Sequence, residues 1–318
     1  MSKKICVIGA GRWGHNHVKT LHKLGYLGGI VESNNSVLKE LTFTYQIKGF
    51  SKVEEAYRNG FDGYIVATPA ETHYSIGKFL LKKDQNVLIE KPMTLSSKHS
   101  AELVALADKQ KVCLMVGHLL LFHPAIRKIK ELVDSGKIGH LYYLYSNRLN
   151  LGTVRTEENV FWSFAPHDIS VLDYLVGAPP VQIEAKGSKF LQEKIHDVTM
   201  TQLSYPGGIH SHIYVSWLHP FKEQRLVLVG SSGMLSFDDS SVDKNILYYN
   251  KRIDWENGKP IKVEEPGEIV AYEKAFPLDE ELKYFIANLD RPAEIAGGKT
   301  GHEVVKVLEK VQQLISKE

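Results

Sequence analysis

Several features that would assign a function at once are missing from this chain. Its 318 residues include only two cysteines, Cys6 and Cys113, each inside an apolar, strand-like run. That argues against a disulfide framework or a thiolate metal centre and suits a reducing compartment. Neither sign of charge is in excess: 39 lysines and arginines face 37 aspartates and glutamates, and no basic run stands out. No nucleic-acid or anionic-membrane surface is therefore indicated. No stretch approaches a membrane span, and the apolar run after Lys3 and Lys4 is too short and too glycine-broken for a signal peptide. The fourteen histidines show no ligand spacing; His15 and His17 sit two apart at the start of a helical segment and point in different directions, so no metal is expected. Gly298-Lys299-Thr300 echoes a phosphate loop, but Ala293 stands where the loop needs glycine, and a turn before the last helix is the reading. What is present is 43% hydrophobic and 24% charged, enough for two domains with real cores. The expectation is a cytoplasmic protein whose partners are small molecules, with no nucleic acid and no membrane.

The first third alternates strand and helix. An apolar run over residues 5–8 ends in Gly9-Ala10-Gly11-Arg12-Trp13-Gly14, and Val18, Leu21 and Leu24 follow at helical spacing. A lone G-x-G-x-x-G is weak, but here it follows the first strand and opens a helix, the context a dinucleotide requires. Gly9 permits the tight turn, Gly11 lets the backbone approach a pyrophosphate, Gly14 lets helix pack on strand, and the helix N-terminus faces the anion. A second strand over 28–31 ends in Glu32, placed to accept hydrogen bonds from the adenosine ribose. NAD is the expected cofactor, and a carboxylate at this position predicts a preference over NADP. Further buried strands over 64–67, 87–89 and 112–116 imply a parallel sheet covered on both faces, with ligands beyond the carboxyl ends of its strands. Ala67, Thr68, Pro69 and His73, then Glu90 and Lys91, then Gly117 and His118 stand at those ends. Gly9, Gly11, Arg12, Trp13, Gly14, Glu32, Ala67, Thr68, Pro69, His73, Glu90 and Lys91 make the expected cofactor site.

From about residue 141 the signals change to strands with turn punctuation, over 141–146, 181–190, 198–205, 210–217 and 225–229, with Pro206-Gly207-Gly208 as a hairpin turn. Helical spacing returns at 280–289 and 304–315. The chain reads as an α/β protein of two domains, residues 1–121 binding the dinucleotide and 122–318 the substrate, with the last helix packing back on the rest. One segment poses a question. Residues 161–170, FWSFAPHDIS, end an aromatic run in the titratable pair His167-Asp168. The bland reading is a helix N-terminus, with Pro166 near the first turn and Asp168 at the positive end of the helix dipole; the sharp one makes His167 a general base.

GAGRWG, VATPAETH, EKP and PHDIS, in that order over roughly the first 180 residues, resemble the Gfo/Idh/MocA family of oxidoreductases. The resemblance implies a Rossmann domain followed by an α/β domain with a large, mostly antiparallel sheet that binds substrate and builds a homodimer or homotetramer. It also implies that Lys91 hydrogen-bonds the reacting oxygen and that His167 takes the hydroxyl proton, a role that fits an imidazole near neutrality. Many inositol dehydrogenase-like members carry an aspartate four residues before this histidine; Ser163 stands there instead. The segment from residue 146 to 170 looks similar to oxidoreductases of surface-polysaccharide and amino-sugar pathways. Arg148, Asn150 and Arg155 could meet a diphosphate or carboxylate there, joined by Lys91, Ser163 and His167 on the substrate side. The activity implied is oxidation of a secondary hydroxyl, the C3 hydroxyl of a UDP-linked N-acetylhexosamine or its uronic acid. A free-sugar or inositol dehydrogenase is the milder alternative, and a non-catalytic NAD-binding sensor stays open because fold alone does not imply function.

Overall fold

A computed structural model describes residues 3–316. The chain is α/β and divides into two compact units, and each is described in turn. A single break near residue 121 does not capture the division, because residues 275–306 pack with residues 1–122.

The first unit is built on β1 (Ile5–Ile8), β2 (Leu27–Val31), β3 (Lys48–Phe50), β4 (Gly63–Val66), β5 (Val87–Ile89) and β6 (Leu114–Val116), all parallel, in the order β3-β2-β1-β4-β5-β6. Between them run α1 (Arg12–Leu24), α2 (Asn35–Tyr45), α3 (Val53–Arg58), α4 (Ala70–Leu81) and α5 (Ser97–Gln110). This is the doubly wound dinucleotide order, with its switch point between β1 and β4. The apolar runs predicted for the strands are buried throughout in β1, β4, β5 and β6, as a sheet covered on both faces demands. Cys6 and Cys113 are free and buried, and burial pushes both thiols up.

The second unit holds α6 (Pro124–Asp134), β7 (Leu141–Leu151), α7 (Val160–Val176), β8 (Gln182–Ser188), β9 (Val198–Ser204), β10 (His210–Ser216), β11 (Leu218–Gly230), β12 (Met234–Asp238), β13 (Ile246–Tyr249), the hairpin β14 (Lys251–Glu256) and β15 (Lys259–Glu264), and β16 (Glu268–Val270). Eight strands form one sheet in the order β16-β13-β12-β11-β7-β10-β9-β8, antiparallel except where β10 lies parallel to β7. Pro206–Gly208 turns the chain from β9 to β10 as the sequence predicts. Alternation sends Leu144, Leu203, Ile213 and Val215 inward, where α7 packs on β7, β9 and β10. The chain then gives the first unit α8 (Pro277–Ala287) and ends on α9 (Gly298–Ile315), divided between the units after Lys306. Gly298, Lys299 and Thr300 form the first turn of α9 itself, not a turn ahead of it.

Candidate functional site

In the first unit the glycine run does what its spacing requires. Gly9 has φ +87°, and a Cβ on it would lie 2.9 Å from the Ala67 carbonyl oxygen; one on Gly14 would lie 1.9 Å from that of Gly9. No other residue fits either place. Gly11, by contrast, faces open space at the N-cap of α1, and no side chain caps that helix. Its first-turn N–H groups, with Arg12 and a partly exposed Trp13 beside them, face outward and suit an anion. Glu32 follows β2 and reaches back under the loop: Oε2 accepts from the Ala10 amide at 2.8 Å, and Oε1 accepts from the Asn34 amide at 2.8 Å. Burial would raise this carboxyl, but hydrogen bonds from Asn34, Ala10 and Ser33 outweigh it and hold it below its usual value. The group is a fixed anion at the sheet's switch point, as recognition of ribose hydroxyls requires. The loop and Glu32 together fit NAD.

Ala67, Thr68 and Pro69 close β4, with Pro69 at the N-cap of α4. His73 is buried, and both ring nitrogens face carbonyl oxygens, Nδ1 that of Pro92 at 2.9 Å and Nε2 that of Thr68 at 2.8 Å. It braces the loop after β4 against the loop after β5, with its polar atoms committed to the backbone. The Lys91-Pro92 bond is cis. Glu90, just past β5, accepts from His17 Nε2 at 2.7 Å and from the Lys91 amide at 3.1 Å. Burial would raise Glu90, yet the hydrogen bond and electrostatic pull of His17, with the charge of Lys91, hold it lower. Gly117 leaves room for this carboxylate, since a Cβ there would lie 2.9 Å from Glu90 Oε2. Burial pushes His118 down to about 4, with Glu90 and Lys91 acting on it.

In the second unit the helix that carries the His167-Asp168 pair begins earlier than Pro166. Asn159 is the N-cap, its Oδ1 accepting from the amides of Phe161 and Trp162 at 3.0 and 3.1 Å. Pro166 therefore lies inside α7, where the reading of a helix start at that proline fails. A proline there cannot donate to the carbonyl one turn back, so the break in the ladder falls one residue before His167. Ser163 and His167, four apart, share a half-buried stripe of the helix. Asp168 turns the other way. It is 2% exposed and accepts from Ser146 Oγ at 2.6 Å and, in a fork, from Arg148 Nε and Nη2 at 2.9 and 3.0 Å. It caps nothing; it ties α7 to β7. Burial would lower Arg148, but the charge and hydrogen bonds of Asp168 raise it. Arg148 and Asn150 stand on β7, which continues five residues beyond its predicted end, and only Arg155 of the three is on an exposed loop. Arg148 is thus committed to Asp168 in this structure.

Residues 3–118 match the family model described as "Oxidoreductase family, NAD-binding Rossmann fold", and residues 126–236 match the "GFO/IDH/MocA C-terminal domain". The chain belongs to the Gfo/Idh/MocA family. It is similar to the UDP-N-acetylglucosamine 3-dehydrogenase of Acidithiobacillus ferrooxidans, 27% identical over 189 residues that make up 59% of each protein, so under two thirds of that relative's length is matched. The solved structure of that enzyme, GnnA, superposes with TM-score 0.87 at 22% identity over 100% of this chain and 98% of that one. The scyllo-inositol 2-dehydrogenase (NAD(+)) of Bacillus subtilis strain 168 is 25% identical over 254 residues, 73% of this chain and 72% of that protein. GenD2 from gentamicin A biosynthesis, solved in complex with NAD, shares the fold at TM-score 0.82 and 19% identity over 99% and 97% of the two chains. NAD is the cofactor of the Rossmann unit. Among the described residues no helix is long and apolar enough to cross a membrane.

Proposed function

We propose that this protein is an NAD-dependent dehydrogenase that oxidises a secondary hydroxyl of a sugar, the C3 hydroxyl of a UDP-linked N-acetylhexosamine or its uronic acid. The observation that carries the reading is Lys91 at the carboxyl end of β5, backed by Glu90 and neighbouring the strand that closes the cofactor loop. NAD, when bound, supplies the acceptor for the hydrogen and electron pair of the alcohol C–H bond. The chain supplies the rest. First-turn amides of α1 bind the pyrophosphate and Glu32 the ribose. The Lys91 ammonium hydrogen-bonds the reacting oxygen and stabilises its alkoxide character. His167, as neutral imidazole, takes the hydroxyl proton, with Ser163 one turn away in place of a carboxylate. Arg155, exposed on the loop between β7 and α7, pairs with a substrate diphosphate, and Asn150 contributes from β7.

Similarity to the UDP-N-acetylglucosamine enzyme and the serine at position 163 support the nucleotide-sugar substrate. The inositol enzyme, matched over a longer stretch, favours a free polyol as the second reading. Incubation with NAD and separate panels of UDP-sugars and free polyols, followed by absorbance of reduced cofactor and mass spectrometry of products, decides between them. Turnover of polyols alone would overturn the nucleotide-sugar assignment, and no turnover of either panel would favour an NAD-binding sensor. The face of the large sheet away from α7 exposes Tyr143 and Met200 around a concavity of about 660 Å³. We assign that face to a homodimer or homotetramer; a Met200→Glu variant of unchanged mass in light scattering would sink that assignment. The two free, buried cysteines support a cytoplasmic location.

A further inference from the structure

The connection between β8 and β9 is longer than its strands require. Ser188 and Val198 pair as antiparallel neighbours, which roughly two to five residues would join; residues 189–197 join them instead. The excess is not slack. Asp197 is fully buried: Oδ2 accepts from the amides of Phe190 and Leu191 at 2.7 and 2.8 Å, and Oδ1 accepts from the indole N–H of Trp217 at 2.6 Å. The Asp197 amide donates to the Ser188 carbonyl at 2.9 Å and closes the base of the loop. Burying a carboxyl group is costly unless donors surround it, and here those donors fix the backbone of a surface loop. The side chains so fixed are left in solvent: Phe190 is 66% exposed and Leu191 50%.

The same framework holds the segment that carries Arg155. Gly152, at its start, donates its amide to the Trp217 carbonyl at 3.0 Å, and Val160, at its end, donates to the His196 carbonyl at 3.1 Å. Between them the Gln192 side-chain amide donates to the Arg155 carbonyl at 2.7 Å. All three ties lead to Asp197, through its partner Trp217, its neighbour His196 or the loop it gathers. Arg155 itself stays exposed. From Val160 to His167 the helix α7 rises about 10 Å, a distance that a diphosphate spans between a sugar and its nucleoside. A guanidinium and a flat apolar ring, carried on two segments pinned together, match the charge and the base of a nucleoside diphosphate.

We propose that residues 189–192 form the nucleoside wall of the substrate site: Gln192 is a positioning residue that holds the Arg155 segment for the diphosphate, and Phe190 presents its ring for the base to stack on. The proposal rests on the nucleotide-sugar reading and adds to it the residues that tell a nucleotide-linked sugar from a free one. Because Asp197 already fixes the backbone under the ring, stacking costs little further ordering. Every base has an aromatic face, so Phe190 selects for a nucleoside without choosing its base.

Calorimetric titration of the full chain with UDP and with inorganic pyrophosphate tests both roles, NAD being present at saturation so that the dinucleotide site is filled. Phe190→Ala should weaken UDP about tenfold and leave pyrophosphate unchanged, and Phe190→Tyr should keep the parent's affinity. Gln192→Ala should weaken both ligands by a common factor of about three to ten. That loss should vanish in an Arg155→Ala background, which a general loosening of the loop would not predict. NAD affinity and melting temperature should not change in either variant. Phe190→Ala or Gln192→Ala with the parent's affinity for UDP, or a Phe190→Ala protein that loses pyrophosphate as well, would overturn the proposal. A parent that binds no UDP would take the nucleotide-sugar reading down with it, whereas UDP binding that ignores both substitutions overturns the proposal alone.

Discussion

The two units hold their candidate residues in different ways. In the first, Glu32, Thr68, Glu90, Lys91 and His118 all lie in the few residues after a parallel strand, and strand ends are visible in a sequence as the places where apolar runs stop. In the second, His167 sits in the middle of a helix, and its sequence neighbour Asp168 faces a different side, into an ion pair with a strand. One residue along a helix is a turn of about 100°, and here that turn separates a half-buried imidazole from a buried anchor. Adjacency in sequence therefore means shared location in a loop and divergence on a helix.

Substitutions test this contrast, beginning with the largest expected effect. Lys91→Met should lower kcat by about 10²–10⁴, with NAD affinity and melting temperature kept, because a positioned acid-base or oxyanion group contributes on that scale. Turnover within a few-fold of the parent would mean that the strand-end loop of the first unit is only scaffold. Next comes Asp168→Ala, which strands the Arg148 guanidinium in a buried place and should cost about 3–5 kcal/mol in urea unfolding. Replacing both partners by leucine and methionine should recover most of it. An Asp168→Ala protein of parental stability that lacks activity would instead move Asp168 into the chemistry.

The third test is a pH profile. His118 has a folded value of about 4 against about 6.5 when unfolded, so between these values the unfolded chain binds a proton that the folded one refuses. Stability should fall as pH drops through that window, by about 3 kcal/mol at its lower end, and His118→Gln should flatten the drop. Equal acid sensitivity in the variant would place the titration elsewhere. The smallest effect separates two glycines of one motif. Gly14→Ala drives a Cβ into the Gly9 carbonyl and should destabilise the fold by about 1–3 kcal/mol, whereas Gly11→Ala meets nothing and should leave melting unchanged while weakening NAD in a fluorescence titration. Equal melting temperatures for the two would contradict the packing described.

The contrast also explains what could be seen in advance. The parallel sheet, the glycine turn and the switch from alternating α/β to punctuated strands follow from local periodicity, and each is in the structure. The start of α7 was signalled by Asn159 ahead of an apolar run, a cap that the prominence of Pro166 obscures. The hairpin β14–β15 turns at Asn257-Gly258, both at positive φ, and that dipeptide is a strong hairpin signal in its own right. The pairing of His17 with Glu90 had no local trace, since 73 residues separate the partners and only the closing of the sheet brings them together.

Helix α8, late in the chain, has a consequence for how the protein is made. A Cβ on Gly63 in β4 would meet Leu289, Ile5 and Phe285, so the strands that begin the chain are covered by side chains from near its end. At ribosomal speeds of about 5–20 residues per second, the first unit waits on the order of ten seconds or more, while all of residues 123–274 are synthesised, before its cover emerges. During that interval a nascent Rossmann sheet presents bare apolar surface, and it is the window in which a chaperone has something to hold.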